Sequence, residues 1–221
     1  MEYMNKMSKM EKPVINATVG LYPLIAVDPI NSCCSKKFER PEWDITYSKI
    51  RQMIPRLRKF TDEYRKLGGQ IIWIRATPWT EEFLPANINR LYHENPHATF
   101  YTQKNVKKSV DFYNGISVRA RDRVFTKNTY SAFADPRLQK FIKQQGADTI
   151  LISGVFAEGC VNATIVDGFT RGLFMIILSD LVETMDDKQQ QAHKKHLITH
   201  QWPLMYGHVM TSNEFLKKLA Q

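Results

Sequence analysis

The residue best placed to do chemistry in this chain is Cys160, within Ile150-Leu151-Ile152-Ser153-Gly154-Val155-Phe156-Ala157-Glu158-Gly159-Cys160-Val161-Asn162-Ala163-Thr164. An aliphatic run gives way to small residues, one cysteine follows, and a helix-compatible pattern continues through Thr170. That order predicts a buried strand, a tight turn and a helix N-terminus. Backbone N–H groups and the positive end of a helix dipole favour thiolate over thiol and can hold a developing oxyanion. Nucleophilic attack is therefore the chemistry expected there. A cysteine serving only as a small buried hydrophobe is the commoner case, so other residues must decide.

Two others stand in comparable places. Asp28 closes the apolar run Tyr22-Pro23-Leu24-Ile25-Ala26-Val27, and Lys127 closes the short strand pattern Arg123-Val124-Phe125-Thr126. Taken singly, an Asp at a strand end reads as a cap or turn former and a Lys as solvated surface. Taken together with Cys160, all three fall at the carboxyl ends of predicted strands. In parallel α/β sheets that edge is where ligands bind, at the switch in strand order.

The elements that must carry these residues follow in order. After the first strand, Ile50, Met53, Ile54, Leu57, Phe60 and Tyr64 recur at helical spacing and predict a helix from about Ile45 to Lys66, kinked or restarted at Pro55 and stopped by Gly68-Gly69. Gln70 to Arg75 is a second buried strand. Between Ala76 and Ser117 no period is sustained, and a connection this long reads as an active-site cover or an oligomer contact, its aromatics Trp79, Phe83, Tyr92, Phe100 and Tyr101 either walling a pocket or anchoring the loop. Asp135-Pro136 starts a helix that ends before Gly146. Leu173 to Leu178 is a fifth strand ending near Asp180, Asp187 to about His200 a polar helix, Gly207 to Met210 a short last strand, and Thr211 to Ala220 a helix opened by a capping box with Glu214. Strands alternating with helices predict an α/β fold: a single-domain three-layer sandwich with a mostly parallel, doubly wound six-stranded sheet and helices on both faces. Residues 1–17, rich in Met and Lys, are expected to form an arm preceding a domain over 18–221.

Composition bounds the rest. With 221 residues, 43% apolar and 11% aromatic, the chain reads as a folded globular protein. No apolar run approaches the ~20 residues of a membrane span, and Met1 to Lys12 lacks the apolar core of a signal peptide, so a cytoplasmic location and no membrane partner are expected. Cys33, Cys34 and Cys160 make a poor disulfide framework and offer no zinc spacing. The net charge of +9 would suit an anionic partner, but its Lys and Arg are dispersed, and no nucleic-acid binding is expected.

Asp28, Lys127 and Cys160 in this order, with Val124-Phe125-Thr126-Lys127-Asn128-Thr129-Tyr130-Ser131-Ala132-Phe133, Gly154 to Val161, Asp167, Arg171-Gly172 and Ser179-Asp180, resemble the isochorismatase-like cysteine hydrolases. That family includes nicotinamidases, N-carbamoylsarcosine amidohydrolases and isochorismatases. The resemblance runs from about Leu21 to Leu219 and implies that Cys160 is the nucleophile, Asp28 the general base and later acid, and Lys127 the cation holding the thiolate. It further implies a cis peptide at Val155-Phe156 that aims the Ala157 and Cys160 amides at an oxyanion. Free cysteine titrates at roughly 8.5, so a cation and a helix N-terminus suit the task. The implied activity is hydrolysis of an amide, ureido or carbamoyl C–N bond of a small molecule, by a homo-oligomer (dimer or tetramer). Isochorismate-type vinyl ether hydrolysis with Asp28 as acid, and a non-catalytic scaffold on the same fold, are the alternatives.

Departures from the family pattern stand beside it. Ile30 occupies a place where many members carry Gln, and Ala157 one where Thr is common, so specificity does not carry over. Arg75-Ala76-Thr77-Pro78-Trp79 lacks the Asp/His metal ligands of nicotinamidases, and Pro96 between His93 and His97 argues against a helical ligand pair. No metal or cofactor is expected. Ile30, Trp79, Phe133 and Phe156 are candidate pocket walls, and Arg75 a candidate partner for a substrate carboxylate or for a neighbouring acid.

Overall fold

The computed structural model describes residues 22–94 and 106–220. Six strands form one sheet: β1 (Leu24–Val27), β2 (Ile71–Ala76), β3 (Arg123–Lys127), β4 (Thr149–Gly154), β5 (Phe174–Val182) and β6 (Gly207–Met210). Their order is β3-β2-β1-β4-β5-β6, and every neighbouring pair is parallel. The chain moves outward from β1 to β3, then returns to the other side of β1 to lay down β4. The crevice between the carboxyl ends of β1 and β4 is thus the switch point where α/β sheets bind ligands.

Alternation along the strands divides the core. Ile25, Val27, Ile72, Ile74, Ile150 and Ile152 face one side, where they meet Leu138 and Ile142 of α5 (Pro136–Gln144) and Ile165 of α6 (Asn162–Thr170). Leu24, Ala26, Ile71, Trp73 and Leu151 face the other, against Leu57, Phe60 and Tyr64 of α2 (Ser48–Lys66) and Phe215 of α9 (Ser212–Leu219). Successive strand residues point to opposite faces, so an unbroken apolar run is what a sheet covered on both sides requires. A third cluster, with Ile30, Cys33, Cys34, Tyr47, Ile50, Met53 and Val155, closes the carboxyl edge.

Several boundaries differ from the sequence expectations. The helix expected from Ile45 starts at Ser48, because its cap comes from far away: the Asp186 carboxylate accepts from the Ser48 and Lys49 amides at 2.7 and 2.8 Å and from the Thr46 hydroxyl at 2.8 Å. The same helix runs through Pro55 uninterrupted. β5 continues to Val182 past an irregularity in its pairing with β4 between Ile152 and Gly154. The long connection after β2, without a sustained period in the sequence, holds the short helices α3 (Ala86–Glu94) and α4 (Val106–Ser109), and a further short helix, α1 (Asn31–Cys34), follows β1. Two expected caps are present. Asp135 accepts from the Arg137 amide at 3.0 Å, and Thr211 and Glu214 form the capping box. The arm expected over residues 1–17, and Phe100, Tyr101 and His97, lie outside the described residues.

The polar stretch after β5 forms α7 (Lys188–His196), a wide turn through Gln201 and α8 (Trp202–Met205). Among the described residues no helix is long and apolar enough to cross a membrane.

Candidate active site

β1 ends at Val27, and the next residue, Asp28, takes a left-handed backbone with φ of 51°. A non-glycine residue there costs on the order of 1 kcal/mol, and Asp is among the side chains that tolerate it. Its amide still bonds Ile74 O at 3.1 Å, so the strand direction is held until the turn throws the carboxylate across the sheet edge. Lys127 is the last residue of β3, with its side chain 0% exposed. A lysine this deep must spend its charge on partners. Nζ lies 2.8 Å from Asp28 Oδ2 and donates to Cys160 Sγ at 3.2 Å and to Thr129 O at 3.0 Å.

Cys160 is delivered by a wide helical turn, Ala157–Val161, that leads into α6, with the Gly159 and Val161 amides both returning to Phe156 O. The Thr164 hydroxyl donates to Cys160 O at 2.7 Å and accepts from the Ala132 amide at 3.0 Å, which ties the cysteine turn to the loop after β3. Asp167 reinforces the same seam by accepting from Ser131 Oγ at 2.7 Å and from Arg171 Nε at 2.6 Å.

Asp28, Lys127 and Cys160, far apart in sequence, thus meet at one edge of the sheet. Burial pushes the Cys160 thiol up to about 12; Lys127 draws it back, and the charge and hydrogen bonding of Asp28 raise it further. Burial by itself would lower Lys127, but Asp28 and Cys160 outweigh it and hold the ammonium above its ordinary value. Asp28 Oδ1, buried and without a hydrogen-bond partner among the described residues, is the acceptor left over once Oδ2 is taken by Lys127.

The cavity beside these groups encloses ≈ 260 Å³ and is lined in part by Asp28, Ile30, Trp79, Phe156, Glu158 and Cys160. Ile30, Trp79 and Phe156 therefore stand where pocket walls were expected. Phe133 does not: it is 3% exposed and packs in the core, with its ring against Gly168. Arg75 is not among the lining residues either. Val155 is fully buried, and its amide bonds Val27 O at 2.9 Å. The Val155-Phe156 peptide is cis. The Ala157 amide, expected to point at an oxyanion, instead donates to Glu183 O at 3.0 Å. The Glu183 backbone is held on its other side by its own amide bonding Gly154 O at 3.1 Å, and its carboxylate by Lys194 and by Gln191 Nε2 at 3.0 Å.

Sequence reasoning missed Tyr130, Leu91, Met185 and Glu158 as lining residues. Glu158 could have been flagged by its place two residues before the cysteine; Leu91 comes from the long connection after β2, and Tyr130 and Met185 from the segments after β3 and β5. Trp79 and Tyr92 from that connection meet edge to face at 5.0 Å, and Trp79 and Tyr130 lie at 6.0 Å, so part of the 76–117 segment walls the cavity. Phe83 is instead 39% exposed, and His93 pairs with Glu81 at 2.6 Å. Among the described residues no group of three or more His, Cys, Asp or Glu side chains is placed to hold a metal ion.

The isochorismatase domain matches residues 23–214, and the chain belongs to that family, whose members are hydrolases that include amidohydrolases. The ureidoacrylate amidohydrolase of Methylobacterium radiotolerans is 26% identical over 171 residues, covering 71% of this chain and 65% of that protein. The maleamate amidohydrolase of Pseudomonas putida is 27% identical over 152 residues, covering 69% and 59%. The match thus spans about two thirds or less of these relatives' length. Among solved structures, a cysteine hydrolase from Pseudomonas syringae pv. phaseolicola superposes with a TM-score of 0.78 at 20% identity, covering 96% of this chain and 99% of that one, which speaks for the shared fold.

Proposed function

We propose that this protein hydrolyses a C–N bond of a small amide, ureide or carbamoyl compound through a covalent intermediate on Cys160. The observation that carries this reading is the Lys127 ammonium seated between Asp28 Oδ2 at 2.8 Å and Cys160 Sγ at 3.2 Å. One cation in contact with both groups can stabilise the thiolate at the moment it forms, while the carboxylate takes the proton. The amidohydrolases among the relatives support the bond type.

Asp28 removes the thiol proton as Cys160 Sγ attacks the carbonyl carbon, and the oxyanion gathers at the amide of Cys160 near the positive end of α6. Collapse of the tetrahedral adduct breaks the C–N bond, and protonated Asp28 gives its proton to the departing nitrogen. The acyl group is left on sulfur as a thioester, or as a thiocarbamate where the substrate is a ureide. Asp28, ionised again, takes a proton from water, whose oxygen attacks the same carbon and releases the acid with the thiol restored. The high affinity of the resting thiol for its proton makes deprotonation part of the attack rather than a prior step.

The test is a screen of small amides and ureides, followed by mass spectrometry of the quenched enzyme. An acyl adduct on the Cys160 peptide, and loss of turnover in Cys160→Ala and Asp28→Asn, is the expected result. Activity that survives Cys160→Ala but not Asp28→Asn would replace this reading with acid-catalysed vinyl ether hydrolysis. Absence of turnover and adduct across the screen would favour a binding role.

A further inference from the structure

We propose that Glu158 selects substrates that carry a cationic nitrogen, an ammonium or quaternary ammonium, beside the scissile amide or ureide, and that the pocket disfavours carboxylate-bearing ones. The site is the one of the preceding section, but the inference concerns binding and does not require turnover. Two carboxylates, Asp28 and Glu158, line the cavity, and among the described residues no Lys, Arg or His does. The nearest buried cation, Lys127, is 0% exposed and already holds Asp28, Cys160 and the Thr129 carbonyl. Arg75, a candidate partner for a substrate carboxylate or for a neighbouring acid, does not line the cavity. Among the described residues the site sets two carboxylates against one ammonium, an excess of negative charge despite the +9 of the whole chain.

Glu158 also has unused bonding capacity. Its Oε1 accepts from the Thr184 hydroxyl at 2.7 Å, whereas Oε2 is buried with no hydrogen-bond partner among the described residues. A closed-off carboxylate oxygen without a donor is unfavourable, and a ligand that supplies positive charge or an N–H group relieves it. The wall formed by Trp79, Tyr92 and Tyr130 adds aromatic ring faces, which attract cations in the same enclosure. A purely structural Glu158 would need only its bond to Thr184. Gln at this position would provide that bond without the charge.

This selectivity would set the chain apart from the ureidoacrylate and maleamate amidohydrolases it resembles, since both of those names denote carboxylates. The test uses three amides of similar size: N,N,N-trimethylglycinamide, its uncharged isostere 3,3-dimethylbutanamide, and succinamate. Their binding is measured by calorimetry on the full chain carrying Cys160→Ala, so that turnover plays no part. The expected result is binding of the cation about tenfold or more tighter than the isostere, succinamate weakest, and a preference that weakens with salt and disappears in Glu158→Gln. Equal binding of cation and isostere, a preference for succinamate, no binding of the cation, or a preference unchanged in Glu158→Gln would overturn the proposal. Loss of the covalent mechanism alone would leave these affinities as they are, so the two readings fail separately.

Discussion

Gly154 approaches Val27 so closely that a Cβ on Gly154 would lie 2.1 Å from the Val27 carbonyl oxygen and 2.5 Å from its amide nitrogen. The contact falls on the β1–β4 register pair at the switch point, and Gly154 holds a φ of 119° that side chains rarely adopt. Both Asp28 and the cysteine turn leave the sheet just beyond this pair. Gly154→Ala therefore combines backbone strain with a clash against backbone that cannot yield, and should cost more than ~3 kcal/mol of stability. Urea unfolding measures it; a loss below about 1 kcal/mol would show that the crevice can open to admit a methyl group.

The sheet was legible in the sequence because parallel strands covered on both faces must be nearly continuous apolar runs, and Ile25 to Val27, Ile71 to Ile74 and Ile150 to Ile152 are such runs. The meeting of Asp28, Lys127 and Cys160 was legible for a related reason: strand ends in a parallel sheet share one edge. Phe133 was misjudged because its burial depends on Gly168, on a different element, leaving room for the ring. Spacing reveals the cation near Cys160 but not the burial that pushes its thiol up. The spent amide of Ala157 depends on Glu183, a residue reached only through β5.

Helix α2 borrows its cap from Asp186, a residue 138 positions away from Ser48 in sequence. Asp186→Ala should lower stability by ~1–2 kcal/mol, the range of lost N-caps. Burial alone would raise the Asp186 carboxyl, but the amides of Lys49 and Ser48 and the Thr46 hydroxyl prevail and hold it below its ordinary value. The contribution is thus present above the unfolded-state value of about 3.9 and disappears as pH falls through the lower folded-state value. Acid titrations of the parent and of Asp186→Asn should converge at low pH; a gap that stayed constant from neutral to strongly acidic conditions would mean that the charge contributes nothing.

Thr164 satisfies the Cys160 carbonyl and the Ala132 amide with one hydroxyl. Thr164→Val keeps the shape but leaves a buried amide unpaired, which should cost ~1–3 kcal/mol. Because Thr164 only positions the cysteine turn, kcat on a confirmed substrate should fall while the pH dependence of alkylation at Cys160 keeps its shape. Thr164→Ser should restore both stability and rate in large part. Failure of Ser to rescue either would point to packing of the methyl group rather than to the hydroxyl.

The thiol of Cys160 keeps its proton up to about 12 in the folded chain, against roughly 8.5 for a free cysteine. Between those values the folded state holds a proton that the unfolded state has released, so stability should fall as pH rises across that interval. Cys33 and Cys34, both buried and also raised, steepen the fall, and Cys160→Ala should remove only its own share. Reactivity provides the sharper reading. Iodoacetamide should label Cys160 slowly in the ligand-free enzyme at neutral pH, with a rate still climbing beyond about pH 9. Asp28→Asn removes a negative charge that raises the thiol, and should shift the climb to lower pH. Lys127→Met removes the opposing cation, and should shift it higher. A rate that reached its plateau below about pH 8 in the parent would establish a stored thiolate and return the site to the state expected from sequence.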